Sequence, residues 1–232
     1  MTEMSLKNAE KIFRPVVDFL FYQECIFCHE PNTLLCQPCI AAFPRSKGKC
    51  FVCEKRNPFF RYCSSCRKDF LPDLMIAPFA YSKKMKKIVQ MMKFEDISIL
   101  ADSFSNTLAD LLRKVVDQPI VVPIPLSKER FKYRGYNQSR LIAESLCQKT
   151  GWKIIELLNR KPTDFSQVEV DSKAARKKNI KGVFSVNKIS IPEEVVLLDD
   201  VITTGSTMEE ACRVLKKAGV KKVIACSLAM GE

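Results

Sequence analysis

The stretch VVLLDDVITTGST, residues 195–207, decides how this chain is read. Four apolar residues, Val195 to Leu198, run together without polar alternation, as in a strand buried on both faces of a parallel sheet. Asp199 and Asp200 follow at its carboxyl end. In an open α/β sheet that edge is where ligands bind. Thr203, Thr204, Gly205, Ser206 and Thr207 then lead into a helix. Successive backbone N–H groups and hydroxyls there form a nest for a phosphate, aided by the helix dipole. Gly205 lets the backbone approach its ligand closely. The GxxxxGK[ST] pattern of a Walker loop is absent. Two adjacent carboxylates ahead of an anion loop suit a ligand that carries a vicinal diol beside a phosphate. An ordinary helix N-cap would account for Ser206 or Thr207, but not for the two acids and the TTG together.

The flanking sequence alternates strands and helices. MIAPFAY (75–81) reads as a strand broken by Pro78, hence an edge. Residues 83–94 read as a helix, with Lys83, Lys84, Lys86 and Lys87 spread around it. Phe104, Leu108, Leu111, Leu112 and Val115 form one apolar helical stripe. IVVPI (120–124) is a fully apolar strand, residues 139–149 are helical, and IIELL (154–158) is a short strand or a helix end. Met208, Ala211, Cys212 and Leu215 stripe the helix after the anion loop, Gly219 stops it, and VIACSLA is the last strand. The pattern predicts an α/β fold with a parallel-dominated sheet over residues 73–232.

Eight of the eleven cysteines lie between Cys25 and Cys66, in four CxxC pairs. These are Cys25 and Cys28, Cys36 and Cys39, Cys50 and Cys53, and Cys63 and Cys66. A CxxC turn puts two sulfurs on one side of a tight loop, and two such turns complete a tetrahedral zinc site. Four pairs therefore predict two Zn²⁺ sites in a double zinc-ribbon module over residues 23–70. Consecutive pairs need the shortest loops, although an interleaved arrangement is also open. His29, the only histidine, directly follows Cys28 and could replace a cysteine, but eight cysteines already fill two tetrahedra. All-cysteine sites have no open position for a substrate, so the module holds shape and offers a surface. Cys147, Cys212 and Cys226 read as small buried hydrophobes. Residues 1–22 form a separate segment. Within it Ile12, Phe13, Val16, Val17, Leu20 and Phe21 predict an amphipathic helix, with Pro15 arguing for a short helix or a late start.

Composition bounds the partners. The chain has 232 residues, 47% of them hydrophobic, which is enough for one substantial core and a smaller module. Seven glycines and 28% charged residues exclude collagen-like and disordered classes. The apolar runs are strand-sized, well short of the ~20 residues of a membrane span. Glu3, Glu10 and Asp18 interrupt any secretory h-region, so a cytoplasmic protein is expected. The formal charge is +12. Each four-thiolate zinc site carries a formal −2, which brings the total to about +8. The surplus points to polyanionic partners.

At residues 195–207 the sequence resembles the phosphoribosyl pyrophosphate (PRPP) signature of type I phosphoribosyltransferases over all 13 positions. The resemblance implies that Asp199 and Asp200 hold the ribose hydroxyls and that Thr203 to Thr207 hold the 5-phosphate, with Mg²⁺ accompanying PRPP. VVPIPLSKERFKYRGYNQSR (121–140) agrees with it. In that family the loop after an early strand binds pyrophosphate, which points to Lys128, Arg130, Arg134, Asn137 and Gln138. Arg134 to Gln138 further resemble the R-G-[FY]-N-Q element of the ComF family. RKPTDFSQ (160–167), Arg176, Asn179, Gly182, Phe184 and the run of CxxC pairs also resemble that family. The likeness covers the chain from about residue 20.

The ComF resemblance implies an accessory role in natural transformation, in the cytoplasm where single-stranded DNA enters. It also implies contact with a ComFA-like DNA translocase ATPase through the zinc module. Basic clusters at Lys83 to Lys87, Lys128 to Arg134, Arg176 to Lys178 and Lys216 to Lys222 fit single-stranded DNA. Phe131, Tyr133 and Tyr136 are candidates to stack bases or to line the PRPP pocket. The rival reading is an active phosphoribosyltransferase that passes the ribosyl group of Mg-PRPP to an unknown acceptor. No residue stands out in the sequence as its catalytic base.

Overall fold

The computed structural model describes residues 23–57, 62–92, 97–161 and 180–231. The amphipathic segment expected over 5–22 lies outside them. So do residues 162–179, which include most of RKPTDFSQ together with Arg176, Lys177, Lys178 and Asn179. Two compact units are formed, residues 1–42 and 43–232. The boundary falls inside the span expected for the cysteine module. The first two CxxC pairs belong to the small unit and the last two to the large one.

In the small unit, Gln37–Ala41 form a short helix, α1, with Pro38 in its first turn. This is a favoured place for proline, because the missing N–H would have no intrahelical partner there.

The large unit holds strands β1 (Leu74–Ile76), β2 (Phe79–Ala80), β3 (Ile120–Pro123), β4 (Lys153–Ile154), β5 (Leu158–Arg160), β6 (Phe184–Val186), β7 (Glu194–Ile202) and β8 (Lys222–Met230). Its helices are α2 (Lys83–Met91), α3 (Ile97–Leu112), α4 (Lys128–Arg134), α5 (Gln138–Thr150) and α6 (Ser206–Lys217). The main sheet runs in the order β1-β8-β7-β3-β4, with β2 also on β8, and all its pairings are parallel. β5 and β6 make a separate antiparallel ribbon.

The core explains the apolar runs. Val195 to Leu198 are fully buried, as are Val121, Val122 and the β8 residues Val223 to Cys226. Each valine, leucine or isoleucine among them contributes about 1.5–3 kcal/mol relative to exposure. Pro78 separates β1 from β2 at the sheet edge, where its missing N–H costs least. The α6 stripe holds, and the α3 stripe holds in part, since Leu111 is half-buried and Val115 lies past the end of α3. Phe104, Leu108 and Leu112 of α3 and Met208, Ala211, Cys212 and Leu215 of α6 are buried, and so are Cys147 and Cys226. On α2 Met85, Ile88 and Val89 are buried while the four lysines face solvent.

Two segments differ from expectation. IIELL does not stay one element: Ile154 ends β4 and Leu158 begins β5. The segment after β3 is a helix rather than a basic loop. α4 is capped by Ser127, whose hydroxyl accepts from the Arg130 N–H, and stopped by Gly135 in the left-handed conformation. None of its residues is buried, so it carries no apolar stripe to betray it.

Strand order fixes where a ligand fits. From β3 the chain passes through α4 and α5 to β4, on one side of the sheet order. From β7 it passes through α6 to β8, on the other. The connections therefore diverge between β3 and β7 and leave a crevice at the carboxyl ends of those two strands.

Candidate functional site

Asp199 and Asp200 sit in that crevice. β7 runs through them, as expected of VVLLDD, and continues two residues further, to Ile202. Asp199 still pairs with Ser227 of β8, and pairing continues to Ile202 opposite Met230. The partner on the other side stops earlier, because β3 pairs only as far as Pro123 opposite Leu198. The acids thus lie on a strand held by one neighbour and released by the other, and both keep partial access to solvent.

Their immediate partners come from elsewhere in the chain. Ser139, in the first turn of α5, donates its hydroxyl to Asp199 Oδ1 at 2.8 Å. The Asp200 N–H donates to the same oxygen at 2.9 Å, and the Val201 N–H donates to Asp200 Oδ1 at 2.7 Å. Burial and then the Asp200 charge push the Asp199 carboxyl up to about 7, against the Ser139 hydrogen bond and the Arg160 charge. Arg160, at the end of β5, lies over the Phe184 ring, 5.5 Å from its centroid. Burial and the Arg130 charge lower the Arg160 guanidinium, while Asp199 opposes them. Burial and Arg130 lower Arg134 in the same way, with Asp200 opposing. Tyr81, just after β2, is raised by burial and by Asp200. Arg160 and Arg134 therefore lie within electrostatic range of Asp199 and Asp200, a mix of charges suited to a ligand with both hydroxyls and phosphates.

The loop behind the acids is short. Thr203 to Gly205 lie between β7 and α6, and Gly205 is the helix N-cap with φ 76°. Gly205 has no side chain to cap this helix, and the Ser206 N–H donates to Thr204 Oγ1 at 3.5 Å. The Thr204 hydroxyl donates to Ser206 Oγ at 3.1 Å. The Gly231 N–H donates to Ile202 O at 2.8 Å, which ties the loop to the end of β8.

The other expected site residues divide. Lys128 and Asn137 line a cavity of about 510 Å³ together with Phe131, Lys132, Arg140 and Glu156. Arg130 is exposed and Arg134 half-buried at the end of α4. Asn137 is engaged in structure. Its side-chain N–H donates to Ile124 O at 2.9 Å, and its carbonyl oxygen accepts from the Ser139 N–H at 3.1 Å, capping α5. Gln138 is 1% exposed, and its Nε2 has no hydrogen-bond partner among the described residues. Sequence reasoning gave no role to Ser139, Arg160 or Tyr81, whose approach to the acids depends on tertiary pairing. Arg160 was visible only as the first residue of RKPTDFSQ. The lysines at 216–222 are less free than their run implies. Lys216 pairs with Asp73, Lys221 with Glu193 and Lys222 with Glu194.

The cysteines form two clusters, Cys25, Cys28, Cys36 and Cys39, and Cys50, Cys53, Cys63 and Cys66. The pairs are consecutive, not interleaved, and the four sulfurs of each cluster lie within 4.8 Å of one another. A tetrahedron with ~2.3 Å Zn–S bonds has edges of about 3.8 Å, so either cluster could hold zinc. The first knuckle of each is the same turn. His29 and Glu54 follow the second cysteine with φ 62° and 61°, and their N–H groups donate to Cys25 O and Cys50 O at 2.8 Å. The Cys25 and Cys50 N–H groups donate to Glu30 O and Lys55 O. His29 thus holds a backbone position in the turn. Its ring pairs with Glu24 at 2.7 Å and lies outside the sulfur cluster. Burial pushes the Cys25 and Cys50 thiols up, but backbone N–H groups outweigh it and bring both to about 6. Such sulfurs are readily thiolates, the form that binds metal.

The phosphoribosyl transferase domain family matches residues 147–231. Competence protein ComFC of Streptococcus pneumoniae is 28% identical over 213 residues, covering 90% of this chain and 93% of its own. The DNA utilization protein YhgH of Escherichia coli is 27% identical, covering 86% and 93%. Competence protein F of Haemophilus influenzae is 31% identical over 235 residues, covering 90% of this chain and 97% of its own. With that identity along nearly the whole of both chains, the chain belongs to the ComF family.

Proposed function

We propose that this protein is an accessory factor in the handling of single-stranded DNA during natural transformation, and that its large unit binds Mg-PRPP. The observation that carries the PRPP reading is the crevice between β3 and β7. There two adjacent carboxylates, Asp199 and Asp200, stand directly before an anion loop at a helix N-terminus. The carboxylates accept from the ribose hydroxyls. The Thr203 to Thr207 N–H groups and hydroxyls hold the 5-phosphate. Arg134 and Arg160, with Lys128 and Arg130 of α4, supply positive charge for the pyrophosphate. Mg²⁺, where bound with the ligand, neutralises part of that charge.

The competence role rests on the relatives, two of which are named as competence proteins and one as a DNA utilization protein. Single-stranded DNA fits the basic α2 and α4 surfaces. Phe131 is 51% exposed and Tyr133 79%, so both rings are available for stacking beside lysines. The cysteine clusters fit docking to a ComFA-like translocase, since a closed thiolate site leaves no coordination position for chemistry. Among the described residues no helix is long and apolar enough to cross a membrane, and action in the cytoplasm is part of the proposal.

Titration calorimetry of Mg-PRPP into the zinc-loaded protein tests the pocket. Asp199→Asn combined with Asp200→Asn is expected to weaken binding at least about 100-fold while zinc content and melting temperature hold. Equal binding by the double variant would sink the ribose assignment. An active transferase is the second reading, favoured by the presence of diol-binding acids and phosphate loop together. Pyrophosphate release with candidate acceptors separates it from a binding role.

A further inference from the structure

The loop that receives the phosphate does not rest on the sheet alone. A Cβ placed on Gly205 would lie 3.0 Å from Phe51 Cδ1 and 3.3 Å from Phe51 Cγ, with Met75 Cε also at 3.3 Å. The backbone of the anion loop is therefore seated against the Phe51 ring. Phe51 directly follows Cys50 in the second cysteine cluster, and both are buried in the same apolar core as β7 and α6. The other half of the cluster reaches the same place. Tyr62 directly precedes Cys63 and is 7% exposed. Its hydroxyl donates to Glu209 Oε1 at 3.3 Å and lies 3.3 Å from Met75 Sδ. Glu209 is in the first turn of α6, and its own N–H donates to Gly205 O at 2.8 Å. Each knuckle of the cluster thus contributes one aromatic residue, adjacent in sequence to a cysteine, that holds the turn from anion loop to helix.

We propose that the Cys50, Cys53, Cys63 and Cys66 knuckle pair is the seat of the phosphate loop, with Phe51 and Tyr62 as positioning residues. Metal binding at that cluster and phosphate-ester binding at Thr203 to Thr207 are then mutually dependent. The proposal rests on the PRPP reading of the loop. Its physical basis is geometric. Gly205 must keep its left-handed conformation for the following N–H groups to converge on an anion, and the ring below it limits how the loop can relax. Zinc fixes the position of Cys50 and Cys63, and through the adjacent residues it fixes the ring and the hydroxyl. Linkage requires the coupling to run both ways. If zinc strengthens phosphate-ester binding, the ester strengthens zinc binding by the same factor. The cluster at Cys25 to Cys39 belongs to the other compact unit.

Two measurements on the full chain test this. In the first, Mg-PRPP affinity is measured for wild type, Phe51→Ala, Phe51→Leu and Tyr62→Phe, each with its zinc stoichiometry. Phe51→Ala is expected to weaken binding about tenfold or more, Tyr62→Phe about threefold, and Phe51→Leu to restore affinity to within about threefold of wild type. In the second, wild-type protein competes for zinc with a chromophoric chelator, with and without saturating Mg-PRPP. One of the two zinc equivalents is expected to resist extraction better when the ligand is present, and the other to be unchanged. Wild type that binds PRPP with neither effect would overturn the coupling and leave the PRPP reading standing. Wild type that fails to bind PRPP would overturn both. Should Phe51→Ala fold poorly, the chelator competition on wild type still decides.

Discussion

The two cysteine clusters share a turn and differ in what surrounds it. Cys25 and Cys50 open the same hairpin, with matching backbone hydrogen bonds and a left-handed residue after the second cysteine. The first cluster lies in a unit of 42 residues, too small to build a large core without help. The second lies in the large unit, and Cys50, Phe51 and Tyr62 are part of the buried core that also contains Val195, Leu197 and Met208. The same local structure thus serves as the main constraint in one place and as a wedge in an existing core in the other. A motif's coordination chemistry can be read from its spacing, whereas its mechanical role depends on what folds against it.

The largest test of this difference compares one cysteine from each cluster. Cys63→Ser is expected to lose one zinc and to lower the melting temperature of the large unit by about 10 °C, because Phe51 and Tyr62 lose their anchor within the core. Cys36→Ser is expected to lose one zinc and to leave that transition within about 2 °C. Zinc quantification and calorimetry on both variants check this. Equal shifts would show that the clusters play the same mechanical part.

The sequence foretold the clusters more readily than their roles. Four CxxC pairs, the buried run of β7 and the stripe of α6 were legible, because spacing and periodicity are local properties. The two acids and the small-residue loop after them stood out for the same reason, since they are contiguous, and their assignment to a diol and a phosphate is part of the proposal. What stayed hidden was long-range. Ser139 reaches Asp199 across 60 residues, and Tyr62 reaches Glu209 across 147. α4 was missed as a helix because its residues are all at the surface, although Ser127 and Gly135 mark its two ends. The unit boundary at residue 42 was also invisible, since it falls between the second and third CxxC pairs, in a gap hardly longer than the next.

A second test exploits charge, which separates the large unit from the small one. Asp199 is raised to about 7 by burial and by Asp200, facing Ser139 and Arg160. Its folded value lies above the ordinary carboxylate range, so the folded state holds a proton that the unfolded chain releases. The stabilising contribution is complete below about pH 4 and is lost as pH rises through about 7. The large unit without ligand is expected to melt a few degrees lower at pH 8 than at pH 6, and Asp199→Asn to flatten that slope. Under the proposed ribose role of Asp199, Mg-PRPP binding should show the opposite trend, tightening as pH rises through about 7. An unchanged slope in Asp199→Asn would assign the pH dependence to another group.

The smallest effect tests the likeness of the two turns themselves. His29 and Glu54 occupy the left-handed region, which costs a residue with a Cβ about 1–2 kcal/mol. Glycine removes that cost but adds about 0.5–1 kcal/mol of unfolded-chain entropy, so the net gain is on the order of 0.5 kcal/mol. Glu54→Gly also gives up an interaction of the Glu54 side chain, so the melting of the large unit should move by no more than about 1–2 °C in either direction. For His29→Gly the gain should appear as slower zinc loss from the first cluster, because folding and metal binding are coupled most tightly where the core is small. His29 also gives up its pairing with Glu24. That pair is exposed and weak, so the sign should survive. A loss of zinc in His29→Gly would mean that the imidazole does more than occupy the turn, and the equivalence of the two knuckles would end there.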